Sequence, residues 1–412
     1  MTSARGNNLP AFSVFAAVLA AAGLPIYIHA PKFYVDEYGV GLGTLGAVLF
    51  ALRLLDVVQD PVLGWLSGRA GARRGVIVGV VALLMAGAMI GLFAVTPLVA
   101  PLIWFAAMLA ILFSAYSFLT ISFYGAGIHK VARAPRLSHV GLAAWRETGA
   151  LIGVCLAAIA PTALGLAADH PFAAFAVGFA GATIAAIVLM RGEWASPARP
   201  VAFDPRPILR DVVARRLLLI AFVNAAPVAV TSTLFLFYVE TRLAAPGMEG
   251  PLLVLFFFAA ALSAPAWGRL ATRYGAREVL LAGMVLSIIA FAFAAYLGAG
   301  DVLPFALVCV ASGAALGADM TLLPALFARR VATMAREPGQ AFGLWSFVSK
   351  LTLAIAAVTV LPILDAAGYE TGSSEPSALL ALTVLYAVVP CVLKLVAVAL
   401  LWFMTESRET AA

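Results

Sequence analysis

Long uninterrupted apolar runs constrain this chain more than any other feature of its sequence. Leu217–Tyr238 and Val279–Leu297 contain no acidic or basic side chain, and about twenty such residues are enough for a helix to cross the hydrocarbon core of a bilayer. The runs do not alternate between apolar and polar residues, which argues against the strands of a transmembrane barrel. The chain is 64% hydrophobic and 11% charged, whereas a soluble domain has about 25% charged residues. We therefore expect an all-α polytopic membrane protein.

Apolar windows of about twenty residues predict twelve transmembrane helices. The first six cover residues 10–30, 43–68, 76–96, 99–125, 138–165 and 170–191. The second six cover residues 215–240, 250–272, 277–298, 302–328, 342–365 and 377–404. The least apolar stretch, 191–216, separates the two sets and contains four prolines and six arginines. We predict an N-terminal six-helix bundle in residues 1–190, a cytoplasmic linker in 191–215 and a C-terminal six-helix bundle in 216–412.

The distribution of basic residues predicts the orientation of these helices. Of the 26 lysines and arginines, twenty fall on one side of the predicted spans, and only Lys32 and Arg242 fall on the other. Because cytoplasmic loops are enriched in lysine and arginine, both termini are expected in the cytoplasm. The first apolar run is too long for the core of a signal peptide and is predicted to be an uncleaved helix. The short loops and the high content of Ala, Gly and Arg favour a cell inner membrane.

Three ionisable residues share one face of the second predicted helix. At 100° per residue, Arg53, Asp56 and Asp60 fall within about 60° of one another. A charge at mid-membrane costs about 2.5–3.5 kcal/mol, so such residues mark sites that bind or move something. A structural salt bridge with Arg53 is the alternative, but one arginine does not neutralise two carboxylates. The pair is suited to H⁺ or Na⁺, and Gln59 can add a carbonyl oxygen.

An internal repeat indicates that the two halves of the chain are related. Residues 61–73 and 265–277 agree at seven positions with one constant offset, including Pro61 with Pro265 and Arg73 with Arg277. Chance similarity between loops of low diversity is the alternative. The repeat resembles the loop signature of the major facilitator superfamily, in which two six-helix halves pack around a central cavity.

The second predicted helix also resembles a narrower family. Its string Arg-Leu-Leu-Asp-Val-Val-Gln-Asp-Pro-Val-Leu-Gly-Trp, residues 53–65, is similar to the second helix of the glycoside–pentoside–hexuronide:cation symporters, the melibiose-permease group. The resemblance implies that Asp56 and Asp60 bind the cation, with Gln59 beside them. Residues 116–124 are similar to that family's fourth helix. There Ser117 takes the place of a cation-binding threonine, and Tyr124 that of a tryptophan that packs on the sugar ring.

Two departures from the family's pattern bear on the substrate. Thr120 stands where the family has a sugar-binding aspartate, and the first predicted helix lacks the second acid. Carboxylates hold sugar hydroxyls with charge-assisted hydrogen bonds, so their loss argues against a galactoside. Together with the two basic residues Arg146 and Lys350, it favours a carboxylated substrate such as a uronide. The alternative for Ser117 and Thr120 is ordinary hydrogen bonding between helices.

Ionisable residues of the fifth and later predicted helices complete the candidate site. The resemblance implies that Arg146 and Lys350 face the substrate cavity. Glu147 either belongs to this charge network or pairs locally with Arg146. Asp319 is the candidate partner of Lys350, whereas Lys394 has no evident partner and is not assigned a role.

These features predict a secondary active transporter that couples a cation to a sugar-like or carboxylated solute by alternating access. A carrier or exporter of amphipathic drugs or lipids is one alternative, and a non-transporting membrane receptor or structural subunit is another. The chain lacks the dense polar constellation of a membrane enzyme and the glycine-rich loop of an ATPase. We expect no cofactor beyond the coupling ion, no nucleic-acid partner, contact with solute and membrane lipid only, and a monomer.

Overall fold

The computed structural model describes residues 8–134, 136–194, 204–334, 338–368 and 375–404, and these residues are almost entirely helical. The side chain of Arg53 lies outside the described part. The chain divides into two compact units. Unit 1 is Met1–Pro205 with Val331–Phe347, and unit 2 is Arg206–Arg330 with Val348–Ala412.

Unit 1 contains seven helices in the part of the chain that the structure describes, and from α3 onwards each begins within about two residues of a predicted span. They are α1 (Leu9–Ala21), α2 (Leu24–Tyr38), α3 (Leu42–Arg69), α4 (Arg74–Phe93), α5 (Pro101–Arg133), α6 (His139–Leu164) and α7 (Pro171–Leu189). A 3₁₀ turn, Gly71–Arg73, joins α3 to α4. In this unit α1 packs on α6, α5 on both α3 and α4, and α7 on α4.

The prediction of one continuous helix over residues 10–30 is wrong, because the segment is interrupted and its helical part continues to Tyr38. The segment forms two helices, α1 and α2, with Gly23 between them and a proline in the first turn of α2. Proline lacks the N–H that a continuing helix needs, but it fits a first turn, where that N–H is unpaired in any case. The second piece ends only at Gly39, whose φ of 64° is a left-handed conformation that glycine adopts without strain.

Close helix contacts in unit 1 depend on small residues. A Cβ atom at Gly149 would lie 2.2 Å from the carbonyl oxygen of Ser13, and one at Gly153 would lie 2.2 Å from that of Ala17. Two glycines spaced four apart on α6 therefore let the backbone of α1 approach directly, as in small-xxx-small helix pairs.

Unit 2 contains the helices of the second half. They are α8 (Arg206–Arg210), α9 (Val212–Phe237), α10 (Glu249–Tyr274), α11 (Ala276–Ala294), α12 (Val302–Thr333), α13 (Pro338–Ala366), α14 (Pro376–Thr383) and α15 (Val389–Trp402). The first turns of α13, up to Phe347, belong to unit 1. Two five-residue π-helical segments extend α9 and link α14 to α15: Tyr238–Arg242 and Val384–Val388.

The two π-helical segments contact each other through aromatic rings. Tyr238 and Tyr386 stack with ring centroids 4.1 Å apart, and the Tyr238 hydroxyl donates to the carbonyl oxygen of Ala294 at 2.6 Å. At the other end of α15, Arg277 donates to the carbonyl oxygens of Leu401 and Trp402 at 3.2 and 2.5 Å. This arginine of the internal repeat therefore caps a helix C-terminus, where a cation is favoured.

The lengths of the helices suit a membrane. By length and composition, ten helices in the described part of the chain can cross a bilayer. The acid-bearing helix α3, with 28 residues or about 42 Å at 1.5 Å per residue, is not among these ten helices, so the ten are fewer than the twelve predicted spans. These observations confirm the predicted all-α polytopic fold.

Candidate functional site

The two acids of α3 are both inside unit 1. Asp56 is 4% exposed and Asp60 is 0% exposed. Asp56 accepts a hydrogen bond at 2.8 Å from the hydroxyl of Ser117 on α5. The structure therefore brings together the acid and the hydroxyl that the family resemblance assigned to one cation site.

Gln59 contacts Asp56 with the nitrogen of its amide group. That nitrogen lies 3.3 Å from Oδ1 of Asp56, and the amide oxygen accepts a hydrogen bond from Ser114 at 2.9 Å. The sequence predicted that Gln59 offers a carbonyl oxygen, so its amide would have to turn over to ligate a cation. The hydroxyl of Ser114 donates or accepts equally well, so it can bond the amide in either orientation. Ser114 was missed, although it lies one turn before Ser117 on the same helix.

Asp60 lies where α3 meets the first turns of α13, within unit 1. A Cβ atom at Gly343 would lie 2.8 Å from the carbonyl oxygen of Asp60, and one at Gly64 would lie 2.6 Å from that of Gly339. The two backbones therefore touch without intervening side chains, directly beside the buried acid. The proposed pairing of the acids with Arg53 stays a prediction, because the side chain of Arg53 is outside the described residues.

A second cluster in unit 1 joins α5 to α6. Glu147 accepts hydrogen bonds at Oε1 from Nε of Arg146 at 2.8 Å and from the hydroxyl of Tyr124 at 3.2 Å. The guanidinium carbon of Arg146 lies 3.7 Å from the centroid of the Tyr124 ring, which is a close cation–π contact. The local Arg146–Glu147 pair, one of the two alternatives, is thus present, and the guanidinium covers a face of the ring on which the family resemblance places a sugar.

The remaining candidates of the substrate site lie on α5 and α13. Thr120 is partly exposed on the helix that carries Ser117, and its hydroxyl oxygen is buried. Lys350 is buried at 9% exposure in the part of α13 that belongs to unit 2. Arg146 and Lys350 thus belong to different units, and their sharing of one cavity stays a prediction.

The ion pair that the structure shows for Asp319 corrects one expectation. Oδ2 of Asp319 accepts a hydrogen bond from the ammonium of Lys394, which also donates to Asn224 at 2.7 Å. The sequence predicts Lys350 as the partner of Asp319 and assigns no role to Lys394, so this prediction is wrong. Sequence periodicity does not reveal which helices of a bundle are neighbours, so the partner of Lys394 could not be read from it.

Comparisons with known proteins cover almost the whole chain. A model of the family described as MFS/sugar transport protein matches residues 10–406. The crystal structure of a bacterial homologue of the iron transporter ferroportin, in an outward-facing state, is similar with a TM-score of 0.71 and 14% identity over 96% of this chain and 98% of that one. The human organic anion transporter MFSD10 (TETRAN) is similar with a TM-score of 0.65 and 17% identity over 95% and 98%. At these identities the solved structures show a shared fold.

Proposed function

The chain belongs to the MFS/sugar transport protein family and is a multi-pass membrane transporter, and on that premise we propose that it couples the movement of Na⁺ or H⁺ to uptake of a carboxylated, sugar-like solute. We place it among the glycoside–pentoside–hexuronide:cation symporters, in the cell inner membrane with both termini cytoplasmic. The observation that carries the proposal is the buried Asp56 carboxylate bonded to Ser117.

The surroundings of Asp56 suit a small cation. Its Oδ1 already accepts from Ser117 and from Gln59, so a negative oxygen is held in place inside the unit. When the amide of Gln59 turns over, carboxylate, hydroxyl and amide oxygens are close together, and such oxygens are the ligands that Na⁺ prefers. A proton on either acid would relieve the same excess of negative charge. Both ions therefore fit the proposal.

Arg146 supports the choice of a carboxylated solute. It is 7% exposed, and its Nη2 is buried and donates to no residue that the structure describes. A guanidinium nitrogen in that state is a donor available to a carboxylate, and arginine binds carboxylates with two parallel hydrogen bonds. Because Glu147 contacts the guanidinium at Nε, Nη2 can bind the solute without breaking the ion pair.

Coupling follows from the linkage between the two sites. Ser117 of the proposed cation site and Tyr124 of the proposed solute site lie seven residues apart on α5, which is two helical turns, or about 10 Å. A cation at Asp56 lowers the excess negative charge near the arginine and makes an anionic solute more favourable there. Reciprocity then requires the solute to tighten cation binding by the same factor.

The decisive experiment measures cation binding and uptake separately. If Na⁺ is the coupling ion, NaCl should raise the midpoint of thermal unfolding of the purified protein relative to choline chloride, because a ligand that binds the native state stabilises it; if H⁺ is the coupling ion, NaCl should give no rise and only the uptake measurement below applies. Asp56→Asn and Asp60→Asn should remove this rise, whereas Asp36→Asn, at an exposed carboxylate of α2, should keep it.

Uptake is then measured in proteoliposomes under a Na⁺ or a proton gradient, with uronides, pentosides and galactosides as the solutes. Both variants of the α3 acids should insert normally and lose gradient-driven uptake of the accepted solute. Full gradient-driven uptake by both variants would refute the proposal. Uptake of amphipathic drugs or lipids in place of all these solutes would favour the alternative carrier.

A further inference from the structure

The start of α9 carries an exposed face that is both basic and apolar. Its members are spaced three and four residues apart and so lie within about 100° of one another around the helix; they are Val212, Arg215, Arg216 and Leu219. The short helix α8 ends just before α9, with Asp211 between them, and adds the exposed Leu209 and Arg210. We call these six residues, Leu209, Arg210, Val212, Arg215, Arg216 and Leu219, the basic–apolar face of unit 2.

The arginines of this face are not neutralised by the protein itself. The side chains of Arg210, Arg215 and Arg216 form no ion pair or hydrogen bond with any residue that the structure describes. The neighbouring acid, Asp211, is bonded to Arg330 and to the N–H of Ala214. Because the Asp211–Arg330 pair has no net charge, the basic–apolar face keeps its three positive charges.

The face lies where a membrane-spanning helix begins. Val212 is the first residue of Val212–Arg242, a stretch long and apolar enough to cross a bilayer. Leu219 is 49% exposed and lies about 4.5 Å further along the helix axis than Arg216. At the end of such a helix, arginine side chains reach the headgroup region, and apolar side chains one turn deeper contact acyl chains. The order of the residues along α9 therefore matches the layers of a bilayer.

An occupant of this face has to combine negative charge with an apolar part. A free phosphate ion or an acidic peptide would neutralise the arginines but would leave Leu219 uncovered. An anionic phospholipid covers both parts of the face, because its phosphate lies directly above its acyl chains. Arginine binds phosphate oxygens with two parallel hydrogen bonds, and basic clusters next to membrane-spanning helices attract anionic lipids.

Other basic groups are engaged within the protein. Lys130 pairs with Glu193 at 2.9 Å, and the guanidinium carbon of Arg69 lies 4.7 Å from the centroid of the Trp65 ring. Arg277 is bonded to the carbonyl oxygen of Leu401. The three arginines at the start of α9 differ from these residues because their charges are left for a ligand from outside the chain.

We propose that the basic–apolar face of unit 2 binds an anionic phospholipid of the leaflet that surrounds the start of α9, the cytoplasmic leaflet in the proposed orientation. The lipid phosphate binds Arg210, Arg215 and Arg216, and an acyl chain packs along Leu219. Binding is reversible and forms no covalent bond. It involves neither the acids of α3 nor Arg146, so it is separate from the proposed cation and solute sites.

Thermal unfolding of the purified full-length protein in a neutral detergent tests the proposal without any solute. Phosphatidylglycerol, added in increasing amounts, should raise the midpoint of unfolding, because a ligand that binds the native state stabilises it. Phosphatidylcholine with the same acyl chains has no net charge and should give a clearly smaller rise. Arg210→Gln/Arg215→Gln/Arg216→Gln should need about a hundredfold more phosphatidylglycerol for half of the maximal rise, since each arginine contributes about fivefold in affinity.

A matched triple variant controls for net charge. Arg73→Gln/Arg136→Gln/Arg191→Gln removes the same charge from exposed arginines of unit 1 and should keep the wild-type response to phosphatidylglycerol. Inorganic phosphate and a polyglutamate peptide are added separately to the wild type. Neither should reproduce the rise, because neither has an apolar part to cover Leu219.

The proposal is overturned if the two triple variants respond equally to phosphatidylglycerol, because net charge alone would then explain the effect. It is also overturned if phosphatidylcholine, inorganic phosphate or the peptide stabilises the wild type as strongly as phosphatidylglycerol. The result does not depend on the proposed function. An Asp56→Asn/Asp60→Asn double variant should keep the full response to phosphatidylglycerol even though it loses gradient-driven uptake.

Discussion

Ser117 donates its hydroxyl hydrogen to the Asp56 carboxylate over 2.8 Å, joining α5 to α3 across 61 positions of the sequence. Both side chains are buried, with exposures of 0% and 4%. Bulk water therefore does not replace the hydrogen bond when one of the two side chains is removed. A hydrogen bond to a charged group contributes about 1.5–3 kcal/mol. Together with the contact from the Gln59 amide, this hydrogen bond holds the Asp56 carboxylate in place.

Replacement of Ser117 by alanine should weaken cation binding without abolishing it. The variant loses one oxygen ligand and the bond that orients Asp56, and a loss of about 1.4 kcal/mol corresponds to a tenfold weaker affinity. The measurement is the Na⁺ concentration that gives half of the maximal thermal stabilisation. Ser122→Ala is the matched control, because Ser122 lies on the same helix and bonds Ser67 at 2.8 Å. Equal Na⁺ dependence in the two variants would contradict the assignment.

Alanine at Gly343 should destabilise the contact of α13 with α3. Its Cβ would lie 2.8 Å from the carbonyl oxygen of Asp60 and 3.1 Å from the Cα of Gly64, so the backbones must separate, at a cost of about 1–3 kcal/mol. Gly46→Ala on α3 is the control, since nothing lies within 4 Å of its Cβ and a helical alanine is itself favourable. Thermal unfolding in detergent should give a lower midpoint for Gly343→Ala alone. A shared midpoint would show that the backbones do not touch here.

The Asp211–Arg330 pair should make the stability of unit 2 depend on pH. Hydrogen bonds from Arg330, at 3.0 and 2.5 Å, lower the pKa of the Asp211 carboxyl, and the N–H of Ala214 adds to this at 2.7 Å. Because the folded-state pKa is depressed, the stabilisation is present above the unfolded value of about 3.9 and is lost as pH falls through the folded-state value.

Asp211→Asn should therefore cost about 1 kcal/mol at neutral pH, a value kept small because the pair is partly exposed. The difference from the wild type should shrink on acidification. The midpoints of thermal unfolding of the wild type and the variant at several pH values measure this difference. Asp301→Asn is the control, since Asp301 accepts the N–H of Gly298 at 2.9 Å and has no ion pair among the described residues. A pH-independent gap between wild type and Asp211→Asn would rule out this explanation.

Two substitutions at Tyr124 should distinguish the stabilisation from its hydrogen bond to Glu147 and that from its cation–π contact with Arg146. Tyr124→Phe keeps the ring beneath the Arg146 guanidinium but removes the hydroxyl that bonds Glu147 at 3.2 Å, at a cost of about 1 kcal/mol. Tyr124→Leu also removes the ring and should cost a further 0.5–2 kcal/mol, roughly the range of a cation–π contact. Unfolding midpoints should fall in that order. Equal midpoints for the two variants would mean that the ring contact contributes nothing.

The helices could be predicted from the sequence wherever the length of an apolar run alone determines where the helix begins and ends. The predicted span 76–96 is α4, Arg74–Phe93, and the predicted span 138–165 is α6, His139–Leu164. The break between α1 and α2 was missed because counting apolar residues ignores the backbone effects of Gly23 and Pro25. The π-helical segments were missed for a similar reason, since one extra residue in a turn leaves hydropathy unchanged.

The site was predictable only where a resemblance supplied a pairing between helices. Asp56 and Asp60 stood out by their charge, but the nearness of Ser117 to Asp56 came from similarity to a family. No family resemblance suggested a partner for Lys394. The sequence predicts Lys350 as the partner of Asp319, which in the structure pairs with Lys394. A charge in an apolar run shows that a partner must exist, because an unpaired one is expensive. It does not show which of the other helices carries that partner.

The helix α13 is continuous from Pro338 to Ala366, although the first part, to Phe347, belongs to one compact unit and the rest belongs to the other. Gly343, which rests on the carbonyl of Asp60, and Lys350 are two turns apart on this helix, about 10 Å along its axis. An unbroken ladder of backbone hydrogen bonds is stiff over that length. A displacement of the α13 backbone at Gly343 therefore also displaces the next two turns of the same helix, which carry Lys350.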